Sequence, residues 1–96
     1  MVGNELQFDW DDGNVRHLRR HRVSQGEFEY VLQNEPLDLE YETESGEERY
    51  KSLGATLRGR ILVVVWTARR GRVRAITAYP ATKRLRALYL QLRGER

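Results

Sequence analysis

The chain has 96 residues, of which 40% are hydrophobic and 32% are charged; this balance excludes a disordered or collagen-like chain and predicts one small folded domain over residues 1–96. The absence of cysteine excludes disulfide bonds and thiolate metal sites. The longest apolar run, Ile61 to Trp66, is too short to span a bilayer, and the N-terminal residues lack the basic start and apolar stretch of a signal peptide. We therefore expect a cytoplasmic protein that does not contact membranes.

The charges are unevenly distributed along the chain, although the net charge is only +3. Residues 24–48 contain nine Asp or Glu and no Lys or Arg, whereas residues 49–94 contain twelve Lys or Arg and no acid. Fifteen of the seventeen basic residues are arginine, whose planar guanidinium binds phosphate through two hydrogen bonds. A genome rich in G and C would also favour arginine codons, but it would not explain the segregation. The basic half therefore predicts a polyanionic partner.

The first predicted elements are a short strand and a helix. Leu6, Phe8 and Trp10 alternate with polar residues, which is the period of a strand. Asp11 follows as a helix N-cap, because its carboxylate can accept hydrogen bonds from the free N–H groups at the start of a helix. We expect this first helix to end near His21.

A second helix is predicted from a capping box. Ser24 and Glu27 have the spacing at which each side chain bonds the backbone N–H of the other residue, and Val23 and Phe28 can pack together beside them. Pro36 ends this helix, because proline disfavours helical geometry in the residue before it. The second helix is therefore expected to lie between Ser24 and Pro36.

From residue 37 the apolar period changes to two, which indicates strands. Turn residues at 45–46, 58–59 and 70–71 separate four predicted strands, at residues 37–44, 47–56, 61–67 and 72–79. Thr82 can cap a final helix that places Leu85, Leu88, Tyr89 and Leu92 on one face. The predicted order is βααββββα, a single α+β domain in which the helices pack against an antiparallel meander sheet.

Two histidines, His17 and His21, lie four residues apart on the first predicted helix, among several arginines. One interpretation is a metal site, which would need a third ligand and is disfavoured by the neighbouring cations. A second is that His21 packs at the end of the apolar stripe and bonds a carbonyl group. The third is phosphate contact and proton transfer, since the pKa of histidine lies near neutrality. Spacing alone does not separate these interpretations.

Six arginines lie at the strand ends and turns of the central hairpins, where they could converge on one sheet face or form a solvated basic surface: Arg58, Arg60, Arg69, Arg70, Arg72 and Arg74. Strand alternation places Tyr79 on the face opposite Arg74 unless the chain bends before Pro80. Tyr50 could stack on a base, and so could Trp66, Tyr79 and Tyr89, although we expect Trp66 and Tyr89 to belong to the core.

Four segments in this order resemble the BrnT toxin family: FDWDD, LRRHRVS, EERYKSLGATLRGRILVVVWT and RVRAITAYPATKRLRALY. The resemblance implies a RelE-like fold with two N-terminal helices and one C-terminal helix. It also implies a ribonuclease that cleaves mRNA, free or on the ribosome, by 2′-hydroxyl attack without a metal or other cofactor. The implied partner is a BrnA-like antitoxin with a ribbon-helix-helix domain, and DNA is contacted only through the complex with it.

The resemblance also implies site residues. The basic position and the histidine of the first helix correspond to Arg20 and His21, and strand arginines correspond to Arg49, Arg58, Arg60 and Arg74. The candidate catalytic residues are Arg58, Arg74, His21 and Tyr79, and the candidate RNA-binding residues are Arg20, Arg49, Arg60, Arg72 and Lys83.

Three positions depart from the family pattern. Tyr79 stands where the family has an arginine, and a phenol supplies no positive charge at neutral pH. Arg22 replaces a glycine, so the first helix is expected to lack a left-handed cap, and Leu85 replaces a glutamate that would complete a capping box with Thr82. The alternative to an active toxin is therefore a catalytically weakened protein that binds RNA or the antitoxin.

The acidic strand at residues 37–44 has two interpretations. It is either a sheet edge protected by charge or a docking surface for a basic segment of the antitoxin.

Overall fold

The computed structural model describes residues 6–94. Three helices and four strands follow one another in the order α1 (Asp12–Arg19), α2 (Gln25–Gln33), β1 (Leu37–Glu44), β2 (Glu47–Ala55), β3 (Ile61–Arg69), β4 (Arg72–Pro80) and α3 (Lys83–Gly94). The strands form one antiparallel meander sheet in the order β1-β2-β3-β4. The α+β class and the meander sheet are confirmed. No helix within residues 6–94 is long and apolar enough to cross a membrane.

The predicted first strand is wrong, so the described chain begins with two helices. Phe8 makes only an isolated parallel bridge to Val73 on β4. Two hydrogen bonds hold residues 7–9 beside β4: Asp9 N donates to Val73 O, and Val73 N donates to Gln7 O, both at 2.8 Å. The alternating segment is short, and Asp11 turns the chain into α1 before a ladder can extend.

The predicted N-caps of α1 and α2 are both present. Asp11 accepts a hydrogen bond from Asn14 N at 2.8 Å, and the Asn14 side chain accepts one from Asp11 N, which completes a capping box. Ser24 and Glu27 form the second box, with both hydrogen bonds at 3.0 Å. These local bonds satisfy N–H groups that have no partner inside the helix, and so they fix where α1 and α2 begin.

The two faces of the sheet carry different helices. One face, which we call the α1–α2 face, presents Leu62 and Val64 to a buried cluster that includes Leu18 of α1 and Phe28 of α2. The other, which we call the α3 face, carries a second cluster in which Leu53, Val63 and Val65 meet Leu85 and Tyr89 of α3. β3 is buried on both sides, as its continuous apolar run predicts.

Helix α3 covers its face only partly. Leu85 and Tyr89 pack against the sheet, whereas Leu88 and Leu92 of the same predicted stripe are 38% and 54% exposed. Thr82 caps the helix by accepting a hydrogen bond from Leu85 N at 3.2 Å, so this half of the capping box survives the leucine at position 85.

The left-handed cap after α1 is retained, contrary to expectation, with arginine in the place of glycine. Arg22 has φ +59°. Arg22 N donates to Arg19 O at 2.9 Å, and Val23 N donates to Leu18 O at 3.1 Å, which is the hydrogen-bond pattern of a Schellman motif. Leu18 and Val23 are both buried, and their packing holds the arginine in a conformation that L residues disfavour.

Replacing Arg22 by glycine is expected to raise the free energy of unfolding by about 0.5–1 kcal/mol, because it relieves the left-handed strain while the unfolded chain gains some entropy. Arg20 has a helical φ of −60°, so Arg20→Gly should instead lower the free energy of unfolding by about 1 kcal/mol. Urea unfolding of both variants measures the difference. A destabilised Arg22→Gly protein would show that the arginine side chain itself holds the turn.

Candidate functional site

A β-bulge in β4 places Arg74 and Tyr79 on the same face of the sheet. Arg74 pairs with Thr67 and Tyr79 pairs with Val63, and the pairing register shifts between Val65 and Trp66 of β3. At this point β4 contains one extra residue, so each side chain beyond it points to the face opposite the one that simple alternation gives. Since Thr67 and Val63 share a face of β3, their partners do too. Simple alternation places Arg74 and Tyr79 on opposite faces unless the chain bends before Pro80. The bulge is that bend.

Arg74 forms the centre of a charged cluster. Its Nη2 donates to Asp11 Oδ2 at 2.7 Å, and its Nη1 lies 3.6 Å from Asp9 Oδ2. The Asp11 hydrogen bond raises the pKa of Arg74 above its ordinary value. The Asn14 N–H and then the Arg74 guanidinium lower the pKa of Asp11 below 3.8. The pair therefore favours the folded state at neutral pH, and that contribution is lost as the pH falls from 3.8 through the lowered value.

Arg49 lies in the same row of the α3 face. Tyr50 pairs with Trp66 on the opposite face, so Arg49 and Thr67, the adjacent residues on β2 and β3, face the side that carries Arg74. Arg49 is held by Glu44 at 3.2 Å and Glu47 at 3.4 Å. Two arginines therefore flank Thr67, and carboxylates already occupy both.

Tyr79, at the other end of this face, forms a second group with His21. Their ring centroids are 6.1 Å apart with an interplanar angle of 63°. His21 lies exposed in the turn after α1, and Tyr79 is half-buried against the cluster that contains Val63. From Thr67 to Val63 the strand rises by about 13 Å, so Arg74 and Tyr79 start from well-separated positions along the face.

Arg60 is committed to a structural contact. Its Nη1 donates to the backbone oxygen of Arg22 at 2.8 Å and to both carboxylate oxygens of Glu27 at 3.1 Å. This joins the turn between β2 and β3 to the loop between α1 and α2. Arg58 lies exposed in that same turn, and it makes no ion pair within the described residues.

The sequence-predicted site residues are thus distributed over two groups. Arg49 and Arg74 lie at one end of the α3 face, and Tyr79, with His21 beside it, lies at the other. The four candidate catalytic residues do not converge on one point. The remaining candidates, Arg20, Arg72 and Lys83, are exposed and make no ion pair within residues 6–94.

Histidines 17 and 21 do not form part of a metal-ligand cluster in the described structure. Among residues 6–94, no three His, Asp or Glu side chains lie close enough together to hold a metal ion.

Comparison with known families assigns the chain. Residues 10–84 match the family model described as ribonuclease toxin, BrnT, of type II toxin-antitoxin system. The chain belongs to the BrnT family. A search of curated protein sequences gave no match. All nine candidate site residues fall within the part of the chain that matches BrnT, which runs from the residue before the α1 cap to the first turn of α3.

The carboxylates on Arg74 are the feature of this BrnT chain that sequence reasoning missed. The sequence indicates a helix cap at Asp11 and gives no role to Asp9. Asp11 and Arg74 are separated by 63 positions in sequence, so no local spacing could reveal the contact.

Proposed function

We propose that the chain is an endoribonuclease toxin that cleaves mRNA without a metal ion, inhibits translation in the cytoplasm, and is neutralised by a BrnA-like ribbon-helix-helix antitoxin. The observation that carries the proposal is the BrnT match over residues 10–84, which contains every candidate site residue. The arginine-bearing α3 face supports it, because RNA cleavage requires cations beside the phosphate. The proposed RelE-like fold agrees with the meander sheet and its three helices.

The reaction needs no bound cofactor. The ribose 2′-oxygen forms a bond to the adjacent phosphorus while the bond from phosphorus to the next 5′-oxygen breaks, which leaves a cyclic phosphate and a 5′-hydroxyl group. One group takes the proton of the 2′-hydroxyl, and another gives a proton to the departing oxygen. Cationic donors stabilise the extra negative charge on phosphorus in the transition state.

We assign these tasks to the two ends of the α3 face. RNA lies across the face, with the scissile phosphate near His21 and Tyr79. His21 transfers a proton, Tyr79 donates a hydrogen bond or stacks on a base, and Arg58 reaches this end from its turn. Arg74, with Arg49 beside it, binds a neighbouring phosphate and fixes the strand for attack. The outer positions contact flanking phosphates: Arg20, Arg72 and Lys83.

An RNA phosphate that binds Arg74 must compete with the carboxylates of Asp9 and Asp11 for its guanidinium group. Asp11→Asn should therefore tighten binding of a single-stranded oligoribonucleotide several-fold, because it removes a negative charge while asparagine still caps the helix. Asp12→Asn is the matched control, since Asp12 is exposed in the first turn of α1 and makes no ion pair within residues 6–94. Fluorescence anisotropy at fixed salt measures both. Equal affinities in the two variants would mean that Arg74 does not meet the RNA.

A second candidate function is a disarmed toxin that binds RNA or antitoxin without cleavage. The observation that favours it is Tyr79, which supplies no positive charge where the resemblance implies an arginine. Arg74 is also partly neutralised by its two carboxylates.

Growth arrest on induced expression, at matched protein levels, separates the two functions. If the chain is an active toxin, expression of the wild type arrests growth, and the Arg74→Ala variant does not. If it is a disarmed toxin, the wild type does not arrest growth, but the Tyr79→Arg variant does. If neither form arrests growth, the ribonuclease proposal fails and a binding protein remains.

A further inference from the structure

Three aromatic side chains form a continuous ladder on the α1–α2 face, beyond the helices. Tyr50 stacks on Trp66 with ring centroids 4.4 Å apart, and Tyr41 lies 5.1 Å from Tyr50. They come from paired positions on β1, β2 and β3. Tyr41 is 56% exposed at the outer end. The ladder lines an open groove of about 480 Å³ together with Asp38, Leu39, Glu40 and Lys51.

The groove runs beside an unpaired strand edge. Within the described residues 6–94, β1 is an edge strand that pairs only with β2, so its outer backbone N–H and C=O groups face away from the sheet. The strand spans Leu37–Glu44, and its last five residues are all exposed. An edge of this length can accept an added strand, with side chains of the guest alternating between the two faces.

The charge of this region selects its partner. Residues 37–53 carry six acids and two bases, a net charge of −4 in a chain whose net charge is +3. Lys51 and Arg49 each pair with an acid of β1, but Asp38 and Glu42 make no ion pair within residues 6–94. The surface therefore repels RNA, and it also repels the same strand of a second copy.

We propose that the β1 edge and the aromatic ladder bind an extended, arginine- or lysine-rich segment of a second polypeptide, which adds to the sheet beside β1. On one face its cations lie over the exposed ring of Tyr41 and near Asp38; on the other they meet Glu42. The inference rests on the proposed function, because the antitoxin of a type II toxin is the polypeptide that would supply the segment.

The test uses a labelled decapeptide in which pairs of arginines alternate with pairs of valines, so that the added strand carries arginines on both faces, with fluorescence anisotropy as the readout. The full chain should bind it, and Tyr41→Ala and Glu42→Lys should each weaken binding by about tenfold or more. Asp12→Lys makes the same charge change on α1 and should leave binding unchanged. A peptide methylated on alternate backbone nitrogens should not bind, because it cannot pair with the edge.

Three results would overturn the proposal. The first is no binding by the wild-type chain, or equal binding by Glu42→Lys. The second is an oligoribonucleotide whose affinity falls in Tyr41→Ala, which would assign the ladder to RNA. The third is self-association lost in Tyr41→Ala, which would assign it to a second copy. RNA cleavage by Tyr41→Ala should match that of the wild type, so failure of this inference and failure of the ribonuclease proposal are distinguishable.

Discussion

Replacing Arg74 by alanine is expected to slow cleavage of single-stranded RNA by about a hundredfold, because Arg74 holds the phosphate next to the scissile one and a misplaced strand commonly costs a loss of that size. The β4 bulge places Arg74 on the α3 face, in the same row as Arg49, so both guanidinium groups can meet the RNA backbone there. Single-turnover cleavage rates in the presence of EDTA measure the effect.

Two further variants interpret the result. Arg74→Lys keeps the charge but loses the two-pronged donor geometry, so its rate should lie between those of wild type and alanine. Arg72→Ala removes an exposed arginine two residues away on the same strand, and we expect it to weaken RNA binding with little change in the maximal rate. If Arg72→Ala and Arg74→Ala behave alike, Arg74 is only one part of a diffuse basic surface.

Replacing Phe28 by alanine is expected to lower the free energy of unfolding by about 3–5 kcal/mol, a large share of the 5–15 kcal/mol typical of a small domain. Phe28 is fully buried between α2 and the sheet, and its ring meets that of Trp10 edge to face with centroids 5.6 Å apart. Urea unfolding followed by circular dichroism measures the change.

Leu57→Ala is the control for this substitution. Leu57 is 78% exposed in the turn between β2 and β3, so its loss should change stability by less than about 0.5 kcal/mol. A loss below about 1 kcal/mol in Phe28→Ala would contradict the packing described for the α1–α2 face.

The elements that local chemistry specifies were predictable from the sequence. The capping box of Ser24 and Glu27 and the cap at Asp11 fix the helix starts within a few residues, through bonds that the sequence makes visible. The period of two from residue 37 and three turns with glycine at their ends predicted the four strands. The resemblance to BrnT, now supported by the family match, rested on the same ordered segments.

The arrangement of the candidate site was not predictable, because it depends on contacts between distant residues. The bulge in β4 leaves no mark in the composition of Ile76 or its neighbours, yet it decides that Arg74 and Tyr79 share a face. Gly54 is a similar case: a Cβ atom there would lie 2.8 Å from a methyl carbon of Val31, so the glycine permits α2 to approach β2. Neither constraint is local.

The left-handed turn at Arg22 is a case in which a local sequence preference gives the wrong expectation. Sequence reasoning expected the cap to be lost with the glycine, but burial of Leu18 and Val23 keeps the turn in place with arginine. Tertiary packing overrides a local preference worth about 1 kcal/mol.

Analysis of the RNA ends that the purified wild-type chain produces in EDTA tests the ribonuclease proposal most directly. Cleavage that leaves a 5′-hydroxyl on one fragment and a cyclic phosphate on the other is the expected result, because only 2′-hydroxyl attack gives both ends. Intact RNA after incubation with folded protein, or cleavage that requires a metal ion and leaves a 5′-phosphate, would contradict it.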